Sequence, residues 1–155
     1  MTNELHGEVI VVGSGPGGYA AAFRAADLGK QVILIEKDSV LGGVCLNRGC
    51  IPSKALLHLA KVIKDAQFVK KCGVTFGQPI LDLEQIQTWK KSVVTQLNQG
   101  LEQLAKARNV RIVQGLARFA SEKMLKIENN PNIHNISFDH CILATGSRAA
   151  SITGI

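Results

Sequence analysis

Glu8-Val9-Ile10-Val11-Val12-Gly13-Ser14-Gly15-Pro16-Gly17-Gly18 is followed by the Ala-rich stretch Tyr19–Leu28, and then by Val32-Ile33-Leu34-Ile35-Glu36. The first apolar run has strand length, the Ala-rich stretch favours helix, and the second apolar run reads as a buried strand. Pro16 suits a first helical turn and Gly29 a C-terminal stop. Strand, glycine turn, helix, strand and terminal acid together make one βαβ unit. A G-x-G-x-x-G pattern alone is weak, but here it joins a strand to a helix and an acid ends the next strand. Gly13 allows the tight turn, Gly15 lets a pyrophosphate approach the backbone, and Gly18 lets helix and strand pack closely. The helix N-terminus would receive the phosphates, and Glu36 would accept hydrogen bonds from an adenosine ribose. An acid at this position argues against a 2′-phosphate.

Downstream lies Gly42-Gly43-Val44-Cys45-Leu46-Asn47-Arg48-Gly49-Cys50-Ile51-Pro52-Ser53-Lys54. Two thiols five positions apart, with glycines before and between them, suggest a disulfide made and broken as chemistry. On a regular helix their Cα atoms would lie roughly 8–9 Å apart, beyond the roughly 7 Å limit for a disulfide. If the pair bridges, the chain leaves regular helix there, and Gly49 makes that departure cheap. The pair is expected on a turn at or just before a helix N-terminus, where the macrodipole, Arg48 and Lys54 would favour thiolate. Three other readings stay open: a zinc site, two inert packed thiols, and a structural disulfide. Zinc lacks a second ligand pair at matching spacing, since Cys72 and Cys141 stand alone and His58 is the only nearby imidazole. Packed thiols need no glycine framing, and a structural bridge depends on compartment. No metal is expected.

The chain has 155 residues, of which 46% are hydrophobic and 19% charged, enough for one ordinary core. No secretory leader or membrane-length apolar run is read, so a cytoplasmic location is expected. The net charge of +6 comes from dispersed basic residues without interleaved aromatics, which argues against nucleic acid. Ser53–Lys71 reads as an amphipathic helix stopped at Cys72-Gly73. Asp82-x-x-Gln85 resembles a capping box, opening a helix in which Ile86, Trp89, Val93, Leu97, Leu101 and Leu104 keep three-to-four spacing. That stripe is expected to pack in a core or a dimer. Val110–Val113 is a third strand. Leu116–Phe119, Met124–Glu128 and Ile133–Phe138 read as short antiparallel strands, and Cys141–Ala144 as a last strand ending at Thr145-Gly146-Ser147. The fold class is therefore α/β, a parallel sheet with a small antiparallel β-meander.

The first 60 residues, above all Gly42–Leu57, resemble the dihydrolipoamide dehydrogenase branch of the pyridine nucleotide–disulfide oxidoreductase family. The likeness continues more weakly through Gly115-Leu116-Ala117-Arg118-Phe119 and Ala144-Thr145-Gly146-Ser147. It implies a Rossmann-like FAD-binding domain and names the dinucleotide as FAD, held by Gly13, Ser14, Gly15, Pro16, Gly17 and Gly18, with Glu36 and Lys37. Gly42, Gly43, Val44, Cys45, Cys50 and Lys54 would also meet the cofactor, Ala117 would touch the adenine through its backbone, and Thr145, Gly146 and Ser147 would line it. Cys45 and Cys50 would be catalytic, Cys45 exchanging with dihydrolipoamide and Cys50 passing electrons to the flavin. Lys54 would stabilise reduced, anionic flavin. Arg48 and Ala149 depart from the family pattern, where an apolar residue and a proline are usual.

The resemblance further implies a parent that oxidises dihydrolipoamide with reduction of NAD⁺. Its partners would be dihydrolipoyl groups on acyltransferase subunits of 2-oxo acid dehydrogenase complexes and a second copy in a homodimer, with no nucleic acid and no membrane. Residues 1–155 would be the N-terminal part of the FAD-binding domain, inactive alone, because the NAD domain and the interface domain with its His-Glu pair are not encoded in them. Another disulfide reductase of the family, or a non-catalytic FAD-binding or redox-sensing module, remains as an alternative.

Overall fold

β1 (Glu4–Val12) is the inner strand from which the sheet grows on both sides. The computed structural model describes residues 4–152 and 154. These fall into two units, divided after Gly43 and after Gly100.

In the first unit, β1 is followed by α1 (Pro16–Asp27), then β2 (Val32–Glu36). β2 runs parallel to β1, with Val12 opposite Ile35. All five of its residues are buried, as expected of a parallel strand covered on both faces. β3 (Arg111–Gln114) adds in parallel on the far side of β2. On the other side of β1 lies β6 (Asn135–Leu143), also parallel, and β5 (Met124–Glu128) and β4 (Leu116–Ser121) continue outward antiparallel. The order is β3-β2-β1-β6-β5-β4 in one six-stranded mixed sheet. This is the α/β, Rossmann-like architecture that the sequence implied.

Two strand assignments need correcting. Ile133–Phe138 and Cys141–Ala144 read as separate strands, but Asn135–Leu143 is continuous. Asp139 and His140, left between those two runs, are exposed positions of the one strand that pairs with β1 on either side of them. The antiparallel meander is thus joined to the parallel sheet by a shared strand. The same pairing lengthens β1, which starts at Glu4 and not Glu8, because β6 pairs with it from Glu4↔Asn135 to Val12↔Leu143. A core of Ile10, Ile33, Ile35, Val113, Leu125, Ile127, Ile136 and Phe138 gathers on this sheet.

The second unit is helical. α2 begins at Gly43 and ends at Arg48, α3 spans Cys50–Val69 with a 3-10 turn at Lys70–Cys72, and α4 (Leu83–Ala107) begins in this unit and ends in the first. α2 was not read from the sequence, where two glycines and the cysteines suggested a turn. Gly73, at φ +90°, ends the 3-10 turn in the left-handed region that glycine favours. Asp82 caps α4, its Oδ1 accepting the Gln85 N–H at 2.9 Å. The expected stripe on α4 is only partly covered: Leu101 is buried, Ile86 and Val93 are half-buried, and Trp89, Leu97 and Leu104 are exposed. Among the described residues no helix is long and apolar enough to cross a membrane.

The sheet core carries the first unit's stability. Ile136, which is fully buried, should cost about 2–5 kcal/mol when truncated to alanine. Leu28, 63% exposed at the end of α1, should change stability by less than about 0.5 kcal/mol on the same truncation. Urea unfolding of the two variants checks this, and equal losses would contradict the placement of the core.

Candidate functional site

The carboxyl ends of the parallel strands converge on the glycine turn. Gly13 leaves β1 at φ +97°, and a side chain there would bring its Cβ to 2.4 Å from the Ala144 carbonyl oxygen. Its N–H donates to the Ile35 carbonyl at 2.8 Å. Gly18, in the first turn of α1, lies so close to Gly13 that an added Cβ would meet the Gly13 carbonyl oxygen at 1.8 Å. Gly15 differs from both. It is the N-cap of α1, and a Cβ built on it meets nothing within 4 Å. Among the described residues nothing demands a glycine there, whereas a ligand approaching the backbone would. The first N–H groups of a 12-residue helix lie beside it without intrahelical partners, so the turn fits a dinucleotide pyrophosphate.

Glu36 closes this turn from the end of β2. It is 7% exposed. Its Oε2 accepts from the Ser14 N–H at 2.8 Å and the Ser14 hydroxyl at 2.6 Å, and its Oε1 accepts from the Asp38 N–H at 2.9 Å. Burial pushes its pKa up, but donors from Asp38, Ser14 and the Lys37 backbone outweigh it, and the net shift is downward. The Ser14 side chain and the Asp38 N–H were not foreseen as partners of Glu36. Asp38 lies two residues after the acid, but Ser14 is 22 residues away, so nothing local in the sequence signalled its part.

Other residues singled out from sequence arrive at the same edge. Gly42 donates its N–H to the Ser14 carbonyl at 2.9 Å, and a Cβ on Gly43 would come within 2.8 Å of the Gly15 Cα. The Ala144 N–H donates to Val12, and Thr145 follows beside Gly13, with exposed Gly146 and Ser147 beyond. Gly115 donates to the Glu36 carbonyl at 2.8 Å. Two residues later Ala117 stands opposite Ile127 and packs on the core. Lys37 presents an exposed side chain.

In the second unit, Gly49 (φ −127°, ψ −106°) interrupts the helical path, so Cys45 lies within α2 and Cys50 is the first residue of α3. This break folds Cys45 back onto Cys50. Both are free thiols, Cys45 half-buried and Cys50 exposed, and their side chains are hydrogen-bonded to each other. That bond, together with burial and the charge of Cys50, raises the Cys45 pKa against the opposing pull of Lys54. The expected lowering therefore does not hold at Cys45, because its partner thiol acts more strongly than the cation. Lys54 and Val44 are exposed. Burial also raises Cys141, far along the chain in β6, and among the described residues no three His, Cys, Asp or Glu are grouped to hold a metal.

A pairing not legible in the sequence ties α2 to α4. Asn98 is buried, and its Nδ2 donates to Asn47 Oδ1 at 2.8 Å and to the Val94 carbonyl at 3.2 Å. Its own Oδ1 is buried with no hydrogen-bond partner, an arrangement that typically costs about 1–3 kcal/mol.

Because the folded pKa of Glu36 is lowered, the folded state binds fewer protons than the unfolded one on acidification. The stability it contributes is present above its ordinary value of 4.5 and is lost as pH falls through the lower folded value. Urea midpoints measured from pH 7 downward should therefore drop below that value. Glu36→Gln should remove this part of the slope, and an unchanged slope would contradict the ionised, hydrogen-bonded state of Glu36.

Comparison with known proteins agrees with this geometry. The family model described as pyridine nucleotide-disulphide oxidoreductase matches residues 7–155. A dihydrolipoyl dehydrogenase of Buchnera aphidicola from Schizaphis graminum is 48% identical over all of this chain and 33% of its own length. One from Vibrio parahaemolyticus is 49% identical over 96% of this chain and 31% of its own, and one from Haloferax volcanii is 45% identical over 95% and 31%. The chain thus spans about a third of the length of these curated relatives. A glycine turn closed by a buried acid, a thiol pair in contact and a family match over nearly every residue lead to one conclusion: the chain belongs to the pyridine nucleotide-disulphide oxidoreductase family.

Proposed function

We propose that residues 1–155 are the N-terminal part of the FAD-binding domain of a dihydrolipoyl dehydrogenase, a cytoplasmic homodimer. It would oxidise dihydrolipoyl groups carried by acyltransferase subunits of 2-oxo acid dehydrogenase complexes, with NAD⁺ as the final acceptor bound outside these residues. The observation that carries this reading is the contact between the Cys45 and Cys50 thiols across the Gly49 break, in a chain that also holds a dinucleotide turn.

Gly13, Ser14, Gly15, Pro16, Gly17 and Gly18 would hold the FAD pyrophosphate. Glu36 and Lys37 would meet the ribose, and the Ala117 backbone the adenine. Gly42, Gly43, Val44, Lys54, Thr145, Gly146 and Ser147 would complete the cofactor contacts. FAD, when bound, supplies the two-electron step between the dithiol and the nicotinamide. The protein's own thiols do the substrate chemistry. A dihydrolipoyl thiolate attacks Cys45 of the Cys45–Cys50 disulfide, forming a substrate–Cys45 bond and releasing Cys50 as thiolate. The second substrate thiol, on losing its proton, displaces Cys45 and closes the lipoyl disulfide, so two electrons remain on the protein pair. The Lys54 cation favours negative charge near the pair.

Run in reverse, the exchange is directly measurable. Lipoamide added to the reduced protein should oxidise Cys45 and Cys50 to a disulfide and be reduced to dihydrolipoamide in equal amount. Peptide mass spectrometry should find the 45–50 crosslink, and its absence at excess lipoamide would refute the redox assignment. Glu36 offers a second test. Replacing its charge in Glu36→Gln should weaken FAD binding by about 1.5–3 kcal/mol, the range for a hydrogen bond to a charged group, or roughly ten- to a hundredfold in Kd. Unchanged affinity in equilibrium dialysis would remove Glu36 from the cofactor site.

A further inference from the structure

Asn98 is the buried polar side chain of the second unit for which the proposed chemistry has no use. Its Nδ2 reaches Asn47, 51 residues away in sequence, and its Oδ1 is buried with no partner. An apolar residue would fill the same place on α4 without leaving an acceptor unmet. Retention of the amide therefore points to what its donor group does.

That donor acts on the segment between the cysteines. Asn47 lies two residues after Cys45 and three before Cys50. α2 has six residues, far below the length of about 12–15 at which an isolated helix becomes even marginally stable, so its position must come from contacts. Leu46 supplies a buried apolar anchor, and the Asn98–Asn47 bond supplies a directional one. Because Gly49 departs from helical geometry, the distance between the thiols is not dictated by a continuous helix. It depends on where α2 is held against the start of α3. A small rotation of α2 would carry Cys45 away from Cys50, and the strict geometry of a disulfide tolerates little displacement.

We infer that Asn98 is a positioning residue for the dithiol: through Asn47 it holds α2 in the register that keeps Cys45 against Cys50 and ready to close the bond. This rests on the redox reading of the pair given above. Asn98 touches neither sulfur, and its influence passes through α2. A held pair behaves as thiols at high effective concentration, so loss of the clamp disfavours the disulfide relative to the two thiols.

The test equilibrates the whole protein with mixtures of oxidised and reduced dithiothreitol. Oxidised dithiothreitol takes two electrons and two protons from Cys45 and Cys50, leaving one protein disulfide and reduced dithiothreitol. Alkylation and peptide mass spectrometry then give the fraction bridged, independently of any lipoyl substrate. Wild-type protein should bridge, and failure to do so would overturn the redox reading itself. Asn98→Leu should keep its circular dichroism and thermal midpoint yet lower the equilibrium constant for bridging by about threefold or more. In the reduced protein, the pH profile for alkylation of Cys45 should move to lower pH in this variant, because the thiol–thiol bond that raises Cys45 is loosened. Asn47→Ala cuts the same bond from the half-buried side and is read in place of Asn98→Leu should that variant not fold. Asn47→Ala/Asn98→Leu should shift the constant no further than either change alone. A wild-type bridging constant and alkylation profile in a folded variant would overturn the inference, as would fully additive effects of the two substitutions.

Discussion

The glycine-turn end of the sheet depends on a buried carboxylate surrounded by donors. Glu36 is almost fully enclosed, and a charge in that position is tolerable only where hydrogen bonds replace its lost water. Ser14 supplies two of them and Asp38 another. The register of β1 against β2 places Val12 opposite Ile35, so Glu36, the last residue of β2, falls beside the turn that begins at Gly13. In consequence the loop after β1 is held from the side, and the open backbone at Gly15 faces outward from a fixed support. The same end receives Gly115 on the Glu36 carbonyl and Gly42 on the Ser14 carbonyl. Three loops remote in sequence are thereby pinned to one acid and its serine.

The thiol pair follows a different logic. Its geometry comes from an interruption, since a helix continuous through Gly49 would hold the two cysteines too far apart for a bond. Gly49 is also sterically constrained, because a Cβ there would approach the Val44 carbonyl oxygen to 3.1 Å. The contact between Cys45 and Cys50 has an electrostatic consequence that outweighs the neighbouring cation. The hydrogen bond from Cys50, with burial, raises the Cys45 pKa. Proximity, and not the helix dipole, thus sets the behaviour of this sulfur. Sequence reasoning had considered Arg48, Lys54 and the helix end, but the partner sulfur enters only once the chain is folded back.

Local patterns were readable from sequence wherever the physics is local. Gly13, Gly15 and Gly18 carried their roles in their spacing, and the structure finds a positive φ, an open side and a close backbone approach at those three positions. Asp82 announced the start of α4 by its three-residue interval to Gln85. The cysteines, framed by glycines, announced a break in regular structure. Where periodicity was lost, the reading failed. β6 reads as two strands because the exposed Asp139 and His140 interrupt its apolar pattern, although backbone pairing with β1 is indifferent to side chains that face solvent. α2 was missed because six residues starting in glycine carry no helical signal of their own.

The sequence by itself determined the chain's chemical vocabulary: a glycine-rich strand-to-helix turn, an acid to close it, and two thiols at a spacing that regular helix cannot bridge. These are statements about neighbours within one or two turns of backbone, where sterics and spacing suffice. Only the tertiary structure decided which donors hold Glu36, that the meander and the parallel sheet share β6, and that Asn98 reaches back to Asn47 between the cysteines. Those outcomes depend on bonds between residues far apart in the chain: 22 for Ser14 and Glu36, 51 for Asn47 and Asn98, and 131 for Glu4 and Asn135 in the β1–β6 ladder. No local preference encodes such a bond, because its partners meet only after strands have found their register and helices their places.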